Sequence, residues 1–279
     1  MRTFQAARRQ PVLGFIAFLF FLAFTLTGCL TEPITGRMQL ALISEAEANT
    51  MGAQSYTQLL SQAKVGGTTT QNSTVERVGN RIARVTDARL AQEGREPYQW
   101  EFKVIADDKT ANAFALPGGK VAVYTGILPI TQDEPGLAVV MGHEVAHAYC
   151  QHGRTRVSQQ VVGQYGLEAV QLALGGDKMS DLSKMTMAAL GVGVQVGSLK
   201  FSREDESAAD HVGLMLMAEA GYDPRSAVAF WQRMEQAGGG ASIEFLSTHP
   251  SHETRIEDLK KLVPDAIQVY EKSKVAPVK

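Results

Sequence analysis

His143, Glu144 and His147 stand in the order His143-Glu144-Val145-Ala146-His147. Residues four apart on a helix share one face, so the two imidazoles can grip a single metal ion. Glu144, next to the first histidine, stays close enough to take a proton from a water bound to that ion, and metal-assisted hydrolysis needs such a general base. The pentapeptide therefore implies a cofactor, one Zn2+ per chain, and a reaction, hydrolysis of a peptide bond. Histidine is scarce, six in 279 residues, so a chance assembly of the pattern is rare.

Two histidines hold zinc incompletely, because catalytic sites use three protein ligands and leave the fourth position to water. A metzincin would place glycine three and histidine six positions after His147; Cys150 and Gly153 stand there, which excludes that class. His152 is off the helical register of the pair and reads as a surface residue. Cys150 shares the face of His143 and His147 but reads as a small buried hydrophobe. The third ligand is expected among the carboxylates of Phe201-Ser202-Arg203-Glu204-Asp205-Glu206-Ser207-Ala208-Ala209-Asp210. Glu206 and Asp210 lie one turn apart on one face, where a glutamate can bind zinc while an aspartate receives the free ring N–H of a ligating histidine. Spacing alone does not single out Glu206 among these acids, since Glu204 and Asp205 at a helix start also suit the helix dipole.

The elements around these residues must hold them in place. Leu137, Val140, Met141, Val145 and Ala148 recur at three- and four-residue spacing, which predicts a helix with a core-facing side, capped by Asp133 and carrying Pro135 in its first turn. Ser44 and Glu47 form a capping box opening a helix to about Ala63; Val65 to Asn72 reads as loop; Ser73 and Glu76 repeat the box before a second helix to about Gln92. The period then shortens to two. Trp100, Phe102 and Val104 predict a half-buried strand, and Ala111–Leu116 and Lys120–Tyr124, around Pro117-Gly118-Gly119, read as two more strands or one broken by a bulge. Val161–Leu199, rich in glycine, alanine and methionine, reads as a buried helical hairpin, with a flexible cover over the site as the alternative; its longest uncharged run, Met185–Leu199, is too short to span a bilayer. Ser202 with Asp205 opens a helix to Ala220, closed by Gly221. Asp223-Pro224 starts another to about Ala237, and a last helix, after the loop Ser247-Thr248-His249-Pro250, reaches about Leu262. The expected fold is α+β, mostly helical, with a small β-sheet next to the His-Glu-x-x-His helix.

Arg2, Arg8 and Arg9 precede an apolar run from Val12 to Leu26, and Leu26-Thr27-Gly28-Cys29 then sets small residues before a cysteine. Residues 1–28 therefore resemble a bacterial lipoprotein signal cut before a lipidated Cys29, and acyl chains there would hold the protein on a membrane. An uncleaved spanning helix is the alternative, since Gln10 to Thr31 carries no charge. With Leu30 after the cysteine, the lipoprotein rule points to the outer membrane, facing the periplasm. The expected division is a leader over 1–28, a membrane tether over 29–43, a metallopeptidase domain over 44–263 and a tail over 264–279. Losing the leader removes three arginines and no acids, leaving 24 basic against 29 acidic residues, so nucleic acid is not an expected partner. Cys150 then has no partner cysteine, and no disulfide framework is expected.

Four motifs in order, Asn112-Ala113-Phe114-Ala115-Leu116-Pro117-Gly118-Gly119, the zinc pentapeptide, Phe201-Ser202-Arg203 with Glu206 to Asp210, and His249-Pro250, resemble the CAAX prenyl protease and HtpX family of gluzincins. The similarity runs from about Glu32 to Leu262 and is nearest to the soluble periplasmic branch, the BepA- and LoiP-like proteases. It implies a zincin-type fold, His143, His147 and Glu206 as ligands, Glu144 as base and Asp210 behind the ligands. It also implies that His249 lies near the metal, where the ring either donates to a developing oxyanion or fills the open zinc position at rest; a loop-packing role, common for a lone histidine before proline, is the third alternative. Arg255 is a weaker candidate for the same work. BepA-like proteins carry a C-terminal helical-repeat domain that has no counterpart before Lys279, so a repeat-borne scaffold function is not expected.

The function expected is zinc-dependent endopeptidase action on unfolded or misassembled envelope proteins, a periplasmic quality-control role. Asn112, Ala113, Phe114 and Ala115 are expected to offer a strand edge to an extended substrate. Two rivals from other classes are a metal-binding chaperone or assembly factor with little proteolysis, in which Glu144 would have no use, and a structural zinc protein, which would fill all four positions with cysteine or histidine.

Overall fold

The computed structural model describes residues 29–159, 201–238, 244–249 and 254–275. The leader and the Val161–Leu199 segment lie outside the described residues. Among those described, no helix is long and apolar enough to cross a membrane.

The chain enters through an antiparallel pair, β1 (Cys29–Thr31) and β2 (Met38–Leu40). Pro33 and Gly36 do not leave this stretch irregular; they sit in the turn of a hairpin. Leu42 N–H donates to Ser158 Oγ at 2.9 Å and Arg154 donates to Ile43 C=O, so residues 29–43 pack on the domain. Helix α1 (Glu45–Gln62) starts with the expected reciprocal box of Ser44 and Glu47. Helix α2 (Thr69–Gln92) begins earlier than Ser73, because Thr68 accepts from Gln71 N–H while the Gln71 side chain accepts from Thr68 N–H. A threonine–glutamine box satisfies the same free amide groups as a serine–glutamate one.

A three-stranded sheet follows, built from β3 (Glu101–Ile105), β4 (Ala113–Leu116) and β5 (Lys120–Tyr124) in the order β3-β5-β4. β5 runs parallel to β3 and antiparallel to β4. Gly118 and Gly119 both take positive φ, 80° and 83°, so the Pro117-Gly118-Gly119 stretch is a hairpin turn and not a bulge. Among the described residues, β4 has one edge that pairs with no strand.

After the short helix α3 (Leu128–Thr131) comes α4 (Glu134–Tyr149), capped by Asp133 with Pro135 in its first turn. Every α4 residue from Gly136 to Tyr149 is buried. The sequence predicted one core-facing side, but α4 is the central rod of the molecule, packed against α2, β4, α5 (Arg203–Glu219) and α6 (Ser226–Gly238). α5 carries the Ser202–Asp205 capping box and ends at Gly221, φ 79°. Then come α6 (Ser226–Gly238), a short α7 (Glu244–Thr248) where a loop was expected, and α8 (Arg255–Val275). α8 runs straight through Pro264 to Val275, well past the expected helix end near Leu262. Leu259 and Ala266, on either side of the proline, are both buried, and that packing carries the helix past the lost backbone hydrogen bond.

Candidate active site

α4 and α5 meet where each has a glycine. A Cβ on Gly142 would lie 2.8 Å from Gly213 O, and one on Gly213 would lie 2.8 Å from the Gly142 carbonyl and His143 N. Only glycines allow backbones this close. The contact sets the first two turns of α5 against His143 and His147, and the Ser202 cap fixes where those turns start.

The polar atoms then converge. His143 Nε2 lies 3.1 Å from His147 Nε2 and 3.5 Å from Glu206 Oε2, and His147 Nε2 lies 3.6 Å from Glu206 Oε1. Ligand atoms bound tetrahedrally to zinc at ordinary bond lengths stand about 3.3 Å apart, so one ion fits among these three. The donor set of two imidazoles and a carboxylate is the one zinc hydrolases use. His249 joins from the residue after α7, its Nδ1 2.9 Å from Glu206 Oε1 and 3.3 Å from His143 Nε2. All four side chains are buried, with candidate ligand atoms within 4.8 Å of one another.

Behind the ligands, Asp210 Oδ1 lies 3.0 Å from His143 Nδ1, which leaves Nε2 of that ring free for metal. Arg255 is fully buried; its Nε donates to Asp210 Oδ2 at 2.7 Å, its Nη2 donates to Glu206 Oε2, and its guanidinium lies 4.0 Å from the Trp231 ring centroid. The guanidinium therefore holds the two acids; it is not the candidate for oxyanion work that the sequence suggested.

Charge in this buried cluster is strongly shaped. Burial would push the Glu206 carboxyl up, but the charges and hydrogen bonds of His249 and His143 outweigh it and hold it well below the usual carboxylate range. Burial disfavours a charged His143, yet Asp210 and Glu206 raise it to about 9. Burial and the neighbouring His143 charge push His147 well down, keeping that ring neutral with a lone pair to give. The Glu144 carboxyl is raised, chiefly by burial, the direction that suits a general base.

Glu144 links the cluster to the sheet. Its Oε2 accepts from Ala115 N–H at 3.2 Å, whereas Oε1 is buried without a hydrogen-bond partner among the described residues and lies 3.4 Å from His249 Nε2. Tyr124 N–H donates to Asn112 C=O, so alternate residues of β4 face β5, and Ala113 and Ala115 present their backbone groups to the open edge. A small pocket beside that edge is lined by Ala115, Leu116, Pro117, His147 and Phe201.

The profile of peptidase family M48 matches residues 69–263. The chain belongs to peptidase family M48. The M48 site His143, His147 and Glu206 is typical of the zinc peptidases of that family, and the match spans α2 to α8. Among curated proteins, the chain is similar to the mitochondrial metalloendopeptidase OMA1 of Schizosaccharomyces pombe, 39% identical over 66% of this chain and 53% of that one. It is also similar to human OMA1, 29% identical over 95% of this chain and 52% of that one. The β-barrel assembly-enhancing protease of Yersinia pestis is 29% identical over 67% of this chain and 37% of that one. The likeness to the assembly-enhancing protease, the branch taken as nearest from sequence, is thus the weaker of the two, and the chain spans about half the length of the OMA1 proteins from fission yeast and human.

Within this M48 chain, the residues nominated from sequence lie together: His143, Glu144, His147, Glu206, Asp210 and His249 form one buried group, and Ala115 touches it. Phe114 faces the sheet's other apolar cluster, with Tyr56 and Leu116, and the Asn112 side chain accepts from Ala113 N–H. Cys29 is exposed at the start of β1. Cys150 is buried, its thiol pushed well up by burial, as suits a small hydrophobe.

His152 is the correction. It is fully buried, not on the surface, and its Nδ1 lies 2.9 Å from His147 Nδ1. The register argument assumed that α4 continued, but α4 ends at Tyr149 and Gln151 takes φ 60°, which turns His152 back beneath the ligand. A non-glycine residue in that conformation leaves little trace in sequence. Phe201, present in the sequence motif without an assigned role, stacks on the His147 ring with centroids 3.9 Å apart.

Proposed function

We propose that this chain is a zinc-dependent endopeptidase that cuts unfolded or misassembled proteins of the bacterial cell envelope, working from a lipid anchor on Cys29 and facing the periplasm. The placement of Glu144 carries the catalytic part. It stands between the ligand cluster and the edge strand β4, with one carboxylate oxygen accepting from Ala115 N–H and, among the described residues, no hydrogen-bond partner on the other.

Zinc bound by His143, His147 and Glu206 supplies a water acidified to a pKa of about 7 and a polarised substrate carbonyl. The chain's own residues do the rest. An extended peptide adds to the β4 edge through the outward carbonyls of Ala113 and Ala115, whose N–H groups are taken by Asn112 and Glu144, so recognition depends on main chain more than on sequence and suits unfolded segments. Glu144 takes the proton of the attacking water and returns it to the leaving amine. Asp210 keeps the His143 ring in one tautomer, and Arg255 balances the two buried acids.

The basic start, the apolar run Val12–Leu26 and the small residues before Cys29 support the anchor, as does the exposure of Cys29. A relative named for enhancing β-barrel assembly supports an envelope substrate class. His249 gives the second reading its footing, because a fourth donor in the cluster suits a chain that holds clients and cuts little.

Purified protein with zinc and its Glu144→Gln variant, each incubated with casein, separate the two readings. Wild type is expected to cleave and the variant to bind zinc equally but cut at least about 100-fold more slowly. Equal zinc in both with no cleavage by wild type or by His249→Ala would reject the peptidase reading.

A further inference from the structure

The ring nitrogens of buried His152 each have a partner: Nδ1 lies 2.9 Å from His147 Nδ1, and Nε2 lies 2.5 Å from Glu32 Oε1. His147 turns its Nε2 to the ligand cluster, so its own proton sits on Nδ1 and is donated to His152 Nδ1. The His152 proton is then on Nε2 and is donated to Glu32. One assignment of protons satisfies the whole chain.

Glu32 lies at the turn between β1 and β2 and is itself buried. Its carboxylate also accepts from Thr35 Oγ1, Gln39 Nε2 and Arg37, whose Nη2 is 3.0 Å from Oε1. Burial pushes this carboxyl up, but the hydrogen bonds from His152, Arg37 and Thr35 prevail and hold it at about 2, so it stays ionised. Arg37 donates as well to Asp205, the residue before Glu206.

We propose that Glu32 and His152 are positioning residues of the metal centre: the carboxylate of the N-terminal hairpin fixes the His147 ring through His152 and, through Arg37, steadies the start of the Glu206 helix. This rests on the zinc reading of the cluster but not on proteolysis. The residue three positions after Cys29 is thereby part of the metal site, and residues 29–43 are needed to complete it. A second metal held by Glu32, Cys150 and His152, whose donor atoms also lie within 4.8 Å, is the poorer account. The Glu32 oxygens already accept four side chains, the Arg37 cation sits against them, and burial keeps the Cys150 thiol protonated.

The test is zinc affinity by chelator competition on the full chain, with melting temperatures in zinc and in EDTA, for wild type, His152→Ala, Glu32→Ala and Glu32→Gln. Both alanine variants are expected to bind zinc about 10- to 100-fold more weakly and to show a smaller zinc-induced rise in melting temperature. Glu32→Gln, which keeps an oxygen for His152, is expected to recover most of the affinity. Alanine variants that melt lower by the same amount in zinc and in EDTA, and bind zinc as wild type does, would overturn the proposal. Nitrogen-15 histidine NMR of the wild-type zinc form tests the same idea without a variant. A proton on His147 Nδ1 coupled to His152 Nδ1 is expected, and a proton on His152 Nδ1 would overturn it. None of these readouts uses a substrate, so a failure to cut casein leaves the outcome distinct.

Discussion

Gly142 and Gly213 touch backbone to backbone, and this contact sets the distance between the histidines of α4 and the acids of α5. A methyl group on Gly213 would meet the Gly142 carbonyl and His143 N at 2.8 Å, and backbone atoms cannot swing aside as a side chain can. Gly213→Ala is therefore expected to force the helices apart, costing about 1–3 kcal/mol and lowering the melting temperature by several degrees. Zinc affinity should fall with it, because Glu206 moves with α5. Thermal melts and zinc titration of the variant check both; unchanged values would mean the helices have slack that the contact denies.

Glu206→Gln keeps the shape of the third ligand but loses its charge. The variant is expected to lose zinc on dialysis under conditions where wild type keeps it, and to lose activity with it. Arg255→Ala acts differently, leaving Glu206 and Asp210 buried without their cation. Its cost, about 3–5 kcal/mol for breaking a buried pair, should be largest without zinc, since the ion replaces the missing positive charge. Urea unfolding of Arg255→Ala with and without zinc measures that difference, and an equal loss in both would contradict it.

Glu32 predicts a pH dependence. Its carboxyl, ordinarily near 4.5, is held at about 2 in the fold. The stabilisation is complete above 4.5 and drains away as pH falls towards 2, because within that window the unfolded chain binds a proton that the folded chain does not. Stability thus rises with pH there, and Glu32→Gln removes up to about 1.4 kcal/mol per pH unit from the slope. Urea midpoints of the zinc-free chain between about pH 3 and pH 5, wild type against variant, give the slope, and parallel slopes would contradict the assignment.

The parts of the site legible in sequence are those written in a local code. A four-residue spacing placed His143 and His147 on one face, and capping boxes at Ser44 and Ser202 marked two helix starts directly. Glu206 needed more, since three acids crowd its helix start and only the glycine crossing selects which one reaches His143. His152 and Glu32 were illegible because their partnership spans 120 residues of sequence and depends on a left-handed turn at Gln151. The run of α8 past Pro264 was hidden for a similar reason: a local breaker signal lost to packing by Leu259 and Ala266.

His249 tests whether the four-donor cluster is a resting state. Its ring is clasped between Phe245 and Phe201, with centroids 4.6 Å and 5.2 Å away, and the His249 backbone N–H is donated to Phe245 C=O at 2.9 Å. With Nδ1 in the ligand group and Nε2 towards Glu144, the ring fills the place that the attacking water must take. His249→Ala is therefore expected to keep zinc on three ligands and to cleave casein faster than wild type. The opposite result is equally readable: zinc retained with cleavage reduced about 100-fold would show that His249 stabilises the transition state, as removal of an oxyanion donor does. A rate increase that disappears in the double variant His249→Ala with Glu144→Gln would place the water and its base where the histidine ring now sits.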